Sequence, residues 1–244
     1  YILLFAHPRS GSSNLYQILQ LHPQLNNLEE PFNENFVHWQ PENQDYLAAI
    51  RDEASLMQQL ACIGADYDGL KVLNYQLPDR LTAVLLQNAS HVLFLRRQNL
   101  LQSVVSNLIA LQTKLWKKWE MTHDLATHYA NLQPLDPDDV QQRVQEMATH
   151  LTWCERVVEQ LEQDRVFKLI YEQFYFAEEA AQLAILNDIW QFLGVAPLQH
   201  PDLSYYLRPS QSKLNSADTY LQFPIALELN ERCGCDETGW LFSA

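Results

Sequence analysis

Short apolar blocks alternate along the chain with longer stretches in which apolar positions recur every three or four residues, a pattern that predicts strands and helices in turn. Ile2-Leu3-Leu4-Phe5-Ala6 is a compact apolar run, followed by turn chemistry at Pro8 and Gly11 and then by Leu15, Ile18 and Leu19 at helical spacing. The same grammar returns at Leu70 to Tyr75, a strand before a helix near Pro78 to Gln87. It returns again at His91 to Leu95, a strand before a long helix from about Asn99 to Lys118. Val166 to Tyr171 makes a fourth strand. Between the third and fourth strands, Val140, Val144, Met147, Leu151, Cys154, Val158 and Leu161 step along one helix face, with Asp136-Pro137 as its cap and first turn. A last helix runs to Phe192-Leu193-Gly194, where glycine supplies the stop and Pro197 lies beyond. From 198 to 244 the pattern loosens, which predicts an irregular segment over one edge of the fold. Strands separated by helices predict an α/β architecture, a central and mainly parallel sheet flanked by helices. In such sheets ligands sit at the carboxyl ends of the strands. No linker or repeat interrupts the pattern, so residues 1–244 read as a single domain.

Composition narrows the function. The 244 residues are 47% hydrophobic and 19% charged, the balance of a globular chain. No apolar run approaches the ~18 residues of a transmembrane segment. With 16 Lys+Arg against 30 Asp+Glu the formal charge is −14, which argues against a nucleic acid partner. Four scattered cysteines make no disulfide framework and no secretory leader pattern opens the chain, so a reducing, cytoplasmic setting is expected. Cys233-Gly234-Cys235 lacks a second cysteine pair, and no metal site is expected. Asp136, Asp138 and Asp139 read as first-turn charges of a helix.

Against that acidic background two stretches stand out. His7-Pro8-Arg9-Ser10-Gly11-Ser12-Ser13-Asn14 places a glycine, three hydroxyls and a cation between a buried strand and a helix start, and no acidic residue occurs from Tyr1 to Leu28. Backbone N–H groups at the helix start, the hydroxyls of Ser12 and Ser13 and the Arg9 guanidinium make such a loop an anion site. The alternative is a serine helix cap beside a surface arginine. The loop is neither a Walker A motif, since no lysine follows the glycine, nor a nucleophile elbow, since Ser10 lacks flanking glycines. The second stretch runs from Arg96 to Lys118 and carries Arg96, Arg97, Lys114, Lys117 and Lys118 without one acid. Arg96 and Arg97 stand where the third strand ends, with Ser103 and Ser106 on one face of the helix that follows. Two strand ends each offering Arg and Ser suit a ligand with two separate anionic groups.

These residues resemble the sulfotransferases that use 3'-phosphoadenosine-5'-phosphosulfate (PAPS), and among them the bacterial carbohydrate branch that includes trehalose and nodulation-factor sulfotransferases. Pro8 to Asn14 resembles the 5'-phosphosulfate loop, and Phe94-Leu95-Arg96-Arg97 through Val105-Ser106 resembles the 3'-phosphate element. Glu30-Pro31-Phe32-Asn33, Leu70-Lys71-Val72, Gln112-Thr113 with Trp116, Ile170-Tyr171-Glu172 and Phe192-Leu193-Gly194 extend the resemblance over most of the chain. Arg9 stands where cytosolic members carry Lys, and Tyr171-Glu172-Gln173-Phe174 replaces the commoner Tyr-Glu-Asp-Leu.

The resemblance implies a P-loop-like three-layer fold, PAPS as co-substrate with 3'-phosphoadenosine-5'-phosphate (PAP) as product, and no metal. It implies that Arg9, Ser10, Gly11, Ser12, Ser13 and Asn14 hold the 5'-phosphosulfate. Arg96 or Arg97 with Ser106, or Ser103 by a small shift, would hold the 3'-phosphate. Arg9 would also be catalytic, meeting the charge that moves onto the leaving phosphate, and Glu30 would be the base for an acceptor hydroxyl. Glu29 and His38 are rival bases, His7 an orienting group, Lys71 a further cation and Trp39 a platform for a sugar. The implied acceptor is a small molecule, glycan or lipid bearing a hydroxyl. Apolar residues of Leu115 to Trp119 leave room for a homodimer. The alternatives are a catalytically silent nucleotide-binding module of the same fold, and a P-loop kinase, which the missing lysine argues against.

Overall fold

A computed structural model of the chain describes residues 1–34, 45–116, 132–208, 220 and 223–242. Five parallel strands form one sheet in the order β2-β3-β1-β4-β5: β1 Ile2–Ala6, β2 Asn27–Glu29, β3 Gly69–Leu73, β4 His91–Arg96 and β5 Val166–Ile170. Period-two alternation divides the central strands between two cores. Leu3 lies opposite Leu70 and Val92, and Phe5 opposite Val72 and Phe94, all facing one way and all nearly inaccessible. Against this face pack α3 (Glu53–Ile63), α4 (Asp79–Asn88) and the carboxyl half of α6 (Pro137–Glu159) through Leu56, Leu60, Leu85, Cys154 and Val158. Leu4, Ala6, Leu73, Leu93 and Leu95 face the other way, onto α1 (Ser12–Gln20), the short α7 (Tyr171–Tyr175) and α8 (Glu179–Phe192), where Trp190 fills the centre. Burial of each such large side chain contributes about 1.5–3 kcal/mol, so the sheet is fixed from both sides. The arrangement is the α/β, three-layer, parallel-sheet fold expected from the pattern.

A third core lies beside the sheet. α5 (Leu100–Thr113) packs on the amino-terminal half of α6 and on α10 (Ala226–Cys233) through Val104, Leu108, Val140, Val144 and Leu229. At 23 residues α6 is about 34 Å long, enough to serve this core at one end and the sheet at the other. Its start is the one the sequence announced: the Asp136 carboxylate accepts from the Asp138 N–H at 3.0 Å, and Pro137 occupies the first turn.

The structure shifts several boundaries. β3 stops at Leu73: the Asn74 N–H makes the last ladder bond, to the Ala6 carbonyl at 2.8 Å, and the Gln76 N–H turns back to the Leu73 carbonyl at 3.0 Å; α4 starts at Asp79 after Pro78. Tyr171 opens α7 instead of closing β5. α5 ends at Thr113, since Lys114 takes left-handed backbone (φ 60) and its N–H closes on the Ala110 carbonyl; Lys117 and Lys118 lie outside the described residues. The segment from 198 onward, expected to be irregular, includes among its described residues the helices α9 (Leu203–Leu207) and α10, where Leu203, Leu207 and Leu229 are buried. β2, α3 and a short α2 (Asp45–Ala49) add to the pattern reading. Among the described residues no helix is long and apolar enough to cross a membrane.

Candidate functional site

β1 is the central strand, and the order of its neighbours reverses there: β3, later in the chain, pairs on one side and β4 on the other. The loops leaving β1 and β4 therefore separate around a crevice at their carboxyl ends. His7 follows β1 directly and is fully buried. Its Nε2 accepts the Arg97 N–H at 2.9 Å, so the proton sits on Nδ1, which donates to the Pro8 carbonyl at 3.0 Å. Burial, followed by the charge of Arg97, pushes its pKa down to about 3. His7 is thus a neutral pin that joins the first loop to the end of β4.

The loop itself makes two left-handed turns, at Arg9 (φ 60) and Gly11 (φ 83). A Cβ on Gly11 would lie 2.7 Å from Tyr175 Cε2 and 2.9 Å from Tyr171 Cδ2, so glycine is required twice over, for its dihedral and for the ring packing. The Tyr175 hydroxyl donates to the Gly11 carbonyl at 2.9 Å and holds the turn from below. No side chain caps α1; the Asn14 N–H closes on the Gly11 carbonyl at 3.1 Å, and among the described residues the N–H groups of Ser12 and Ser13 are left for another acceptor. The serines divide: Ser10 turns inward and donates to the His7 carbonyl at 2.7 Å, whereas Ser12 and Ser13 begin the helix. The Ser10 hydroxyl therefore shapes the loop from within. Asn14 stands one residue further along the first turn, half-buried.

Two arginines and a serine from distant segments converge here. Arg9 Nε donates to Ser106 Oγ at 2.9 Å, and its Nη1 donates to the Trp116 carbonyl at 2.8 Å. Arg97 Nη1 donates to the Arg9 carbonyl at 3.1 Å, and its Nη2 donates to Gln102 Oε1. The guanidinium lies 4.7 Å over the Tyr171 ring. Its Nε is 3.8 Å from Glu172 Oε1 and is buried without a hydrogen-bond partner among the described residues. Burial pulls the Arg97 pKa down, while Tyr220 and Glu172 oppose that shift. Glu172, in the first turn of α7, accepts the N–H groups of Gln98 and Asn99 at 2.9 and 3.0 Å and so fixes the loop that carries Arg97. Arg96, 37% exposed, pairs with Glu155 on α6 at 2.6 Å, and the two line a cleft of about 450 Å³ together with Arg97 and Glu172. Of the two arginines, Arg97 is the one joined to the anion loop. Of the two serines, Ser106 faces Arg9, while Ser103 bonds back to the Asn99 carbonyl at 3.3 Å.

The candidate base lies across the crevice. Glu30 follows β2 with left-handed backbone (φ 50), fixed by its N–H to the Lys71 carbonyl at 2.9 Å and by the Asn33 N–H to its own carbonyl at 3.1 Å. Its Oε1 accepts from Lys71 Nζ at 2.6 Å, and its Oε2 accepts from Asn33 Nδ2 at 2.6 Å and Gln76 Nε2 at 2.8 Å. Lys71 is 1% exposed and also reaches Glu29 at 3.1 Å and Ser13 Oγ at 2.9 Å. His38 and Trp39 lie outside the described residues, as does Trp119. Trp153 and Trp190 pack in the cores, as aromatic residues at helical spacing usually do. Cys233 donates to the Pro137 carbonyl and Cys235 pairs with Thr238, so the two thiols serve different neighbours. Among the described residues no group of three His, Cys, Asp or Glu is placed to hold a metal.

Tyr220 escaped the sequence reading. It is buried beside both arginines and Ser106, and its hydroxyl donates to the Gln102 carbonyl at 3.2 Å. Burial raises its pKa, and the charges of Arg97 and Arg9 oppose that. A lone aromatic residue more than a hundred positions from its partners gives no spacing signal.

The sequence matches no family model and no curated protein. Its fold is similar to several solved structures. A sulfotransferase from Alicyclobacillus acidocaldarius shares 16% identity over 93% of this chain and 94% of that one, with a TM-score of 0.46. A mouse sulfotransferase complexed with PAP shares 15% over 90% of this chain and 67% of that one, at 0.49. The sulfotransferase domain from the curacin biosynthetic pathway shares 15% over 85% and 79%, at 0.51, and the likeness to this last structure is one of fold.

Proposed function

We propose that this chain is a sulfotransferase of the PAPS-dependent kind, moving a sulfuryl group to an acceptor hydroxyl on a carbohydrate or glycolipid. One observation carries the reading. Arg9 sits at the carboxyl end of the central strand, its side chain bonded to Ser106 and its carbonyl to Arg97, so one loop joins two anion-binding elements. The fold likeness to a sulfotransferase domain supports it.

The residues present fit a nucleotide with phosphates at both ends. The uncapped start of α1 and the cramped Gly11 leave backbone N–H groups for a 5'-phosphosulfate, and Arg97 Nε, buried and unpartnered among the described residues, suits a second anion. In this reading Ser12, Ser13, Asn14 and the loop N–H groups bind the first anion, and Arg97 with Ser106 the second. The donor supplies an activated sulfuryl group. In line, the acceptor oxygen bonds to sulfur as the bond from sulfur to the bridging phosphate oxygen breaks, PAP leaves, and the acceptor proton passes to Glu30. Arg9 neutralises the charge that gathers on the leaving phosphate, positioned by Ser106 and by the Trp116 carbonyl.

Calorimetric titration with PAP in EDTA, against ATP and AMP, tests the donor site. Micromolar binding of PAP alone, weakened in Arg9→Ala and Arg97→Ala, is expected, and an acceptor screen with Glu30→Gln as its inactive control follows. Absence of PAP binding, or preference for ATP with magnesium, overturns the reading. Tight PAP binding with no transfer to any hydroxyl would favour the silent nucleotide-binding module.

A further inference from the structure

We propose that Lys71 is a positioning residue, which fixes the lone pair of Glu30 left open among the described residues and ties its direction to Ser13 of the anion loop. Its catalytic consequence rests on the sulfuryl-transfer reading; the tether itself does not. An ammonium has three N–H donors, and those of Lys71 meet Ser13 Oγ, Glu29 Oε1 and Glu30 Oε1 at 2.9, 3.1 and 2.6 Å. None is left for a ligand, so Lys71 acts through its neighbours and is not a further cation at the transferred group.

Counting lone pairs shows what it fixes. An ionised carboxylate offers about four acceptor positions, two on each oxygen. On Glu30, Asn33 and Gln76 fill both positions of Oε2 and Lys71 fills one on Oε1. Among the described residues the remaining position is on Oε1, the oxygen Lys71 holds. The same ammonium sets Ser13: because Nζ can only donate, Ser13 Oγ accepts, and its own proton is turned away from Lys71. One cation buried in the sheet thereby aims a hydroxyl donor toward the anion loop and a carboxylate acceptor toward the opposite side of the crevice. Placement on β3 makes this possible. Lys71 lies opposite Leu4 of β1 and Glu29 of β2, on the sheet face that meets α1. Among the described residues the charged and titratable groups facing Glu30 are Lys71 of β3, Glu29 of β2 and the Tyr75 phenol beyond β3, whose pKa is raised by partial burial and then by Glu30. Removal of Lys71 leaves two carboxylates beside one cation's empty place, and Glu30 Oε1 and Ser13 Oγ lose the donor that orients them.

The test compares the parent chain with Lys71→Met and with Lys71→Met/Glu29→Gln, which loses one carboxylate together with the cation and remains foldable if the single variant does not. The first readout is the crystal structure of each variant: without the ammonium, Glu30 Oε1 and Ser13 Oγ are expected to leave the positions that Lys71 gives them, and Glu30 less so in the double variant. The second readout is transfer: kcat falls roughly 10²-fold while PAP affinity changes only a few-fold. Glu30 and Ser13 unmoved in whichever variant folds overturns the tether, whatever the chain transfers. Displaced Glu30 and Ser13 in a chain that binds no PAP keep the tether and overturn the donor reading.

Discussion

Gly11→Ala is expected to be among the most damaging single-methyl additions in the chain. Two costs add. The left-handed backbone at φ 83 disfavours any L side chain by about 1–2 kcal/mol. The new Cβ would also lie 2.7 Å from Tyr175 Cε2 and 2.9 Å from two atoms of Tyr171. Neither ring can retreat, because both tyrosines are at most 3% exposed, Tyr175 is anchored by its hydroxyl, and Tyr171 lies under Arg97. Overpacking of this sort costs about 1–3 kcal/mol. The total, about 2–5 kcal/mol, is a large share of the ~5–15 kcal/mol that holds a domain of this kind together. Urea unfolding measures it as a fall in midpoint at constant slope. Gly11→Asn separates the two costs, since asparagine accepts left-handed backbone but still brings a Cβ, so it should recover the first and keep the second. PAP affinity should fall in both variants, because the turn that presents the α1 N–H groups is displaced. A loss below about 0.5 kcal/mol for alanine, the range of ordinary surface changes, would refute the account of this loop.

Two further outcomes follow from neighbouring contacts. Arg97→Lys keeps the charge but loses the fork that spans the Arg9 carbonyl, Gln102 and the Tyr171 ring; PAP affinity measured by calorimetry should fall roughly 10–100-fold, the equivalent of about 1–3 kcal/mol for one or two unpaired groups. Undiminished affinity would mean that charge alone matters there. His7 titrates near 3 in the fold against 6.5 when exposed, so between those values the unfolded chain binds the extra proton. The stability His7 contributes is therefore complete above about pH 6.5 and is lost as pH falls toward 3, with a ceiling of about 4–5 kcal/mol. Urea unfolding at pH 7.5 and pH 5 should show a smaller acid loss in His7→Asn than in the parent, and equal losses would refute this.

How much of this was legible in the sequence depended on whether the partners were near one another. The anion loop was legible because strand, arginine, glycine and serines are contiguous and each residue type has a local reason to be there. The inward turn of Ser10 was not, since its acceptor is a backbone carbonyl that only the folded turn brings close. The pairing of Arg9 with Ser106 joins residues 97 positions apart, and a pattern could offer both sites without joining them. α5 was drawn too long because Lys114, Lys117 and Lys118 suit a helical last turn, and nothing local announces the left-handed Lys114. β2 is three residues with one fully apolar side chain, too short to show a period. Of the helices past residue 198, α9 buries two leucines and α10 a single leucine with Ala226 and Cys233, among polar neighbours, below what periodicity registers. Glu30 was chosen by resemblance, and only the structure shows the lysine, asparagine and glutamine that aim it.

The Tyr175 hydrogen bond to Gly11, spanning 164 residues, sets a schedule for the chain's own synthesis. The loop leaves the ribosome among the first residues of this sequence, yet the ring that holds its turn follows after roughly 10–30 s at ~5–20 residues per second, and Tyr220 later still. Until then the nascent chain carries the amides of this loop without the geometry that gathers them. Closing such high contact-order links comes late in folding. If the loop holds the nucleotide we propose, a growing or half-folded copy is kept from sequestering it, and capture of that ligand becomes a report that the molecule is finished.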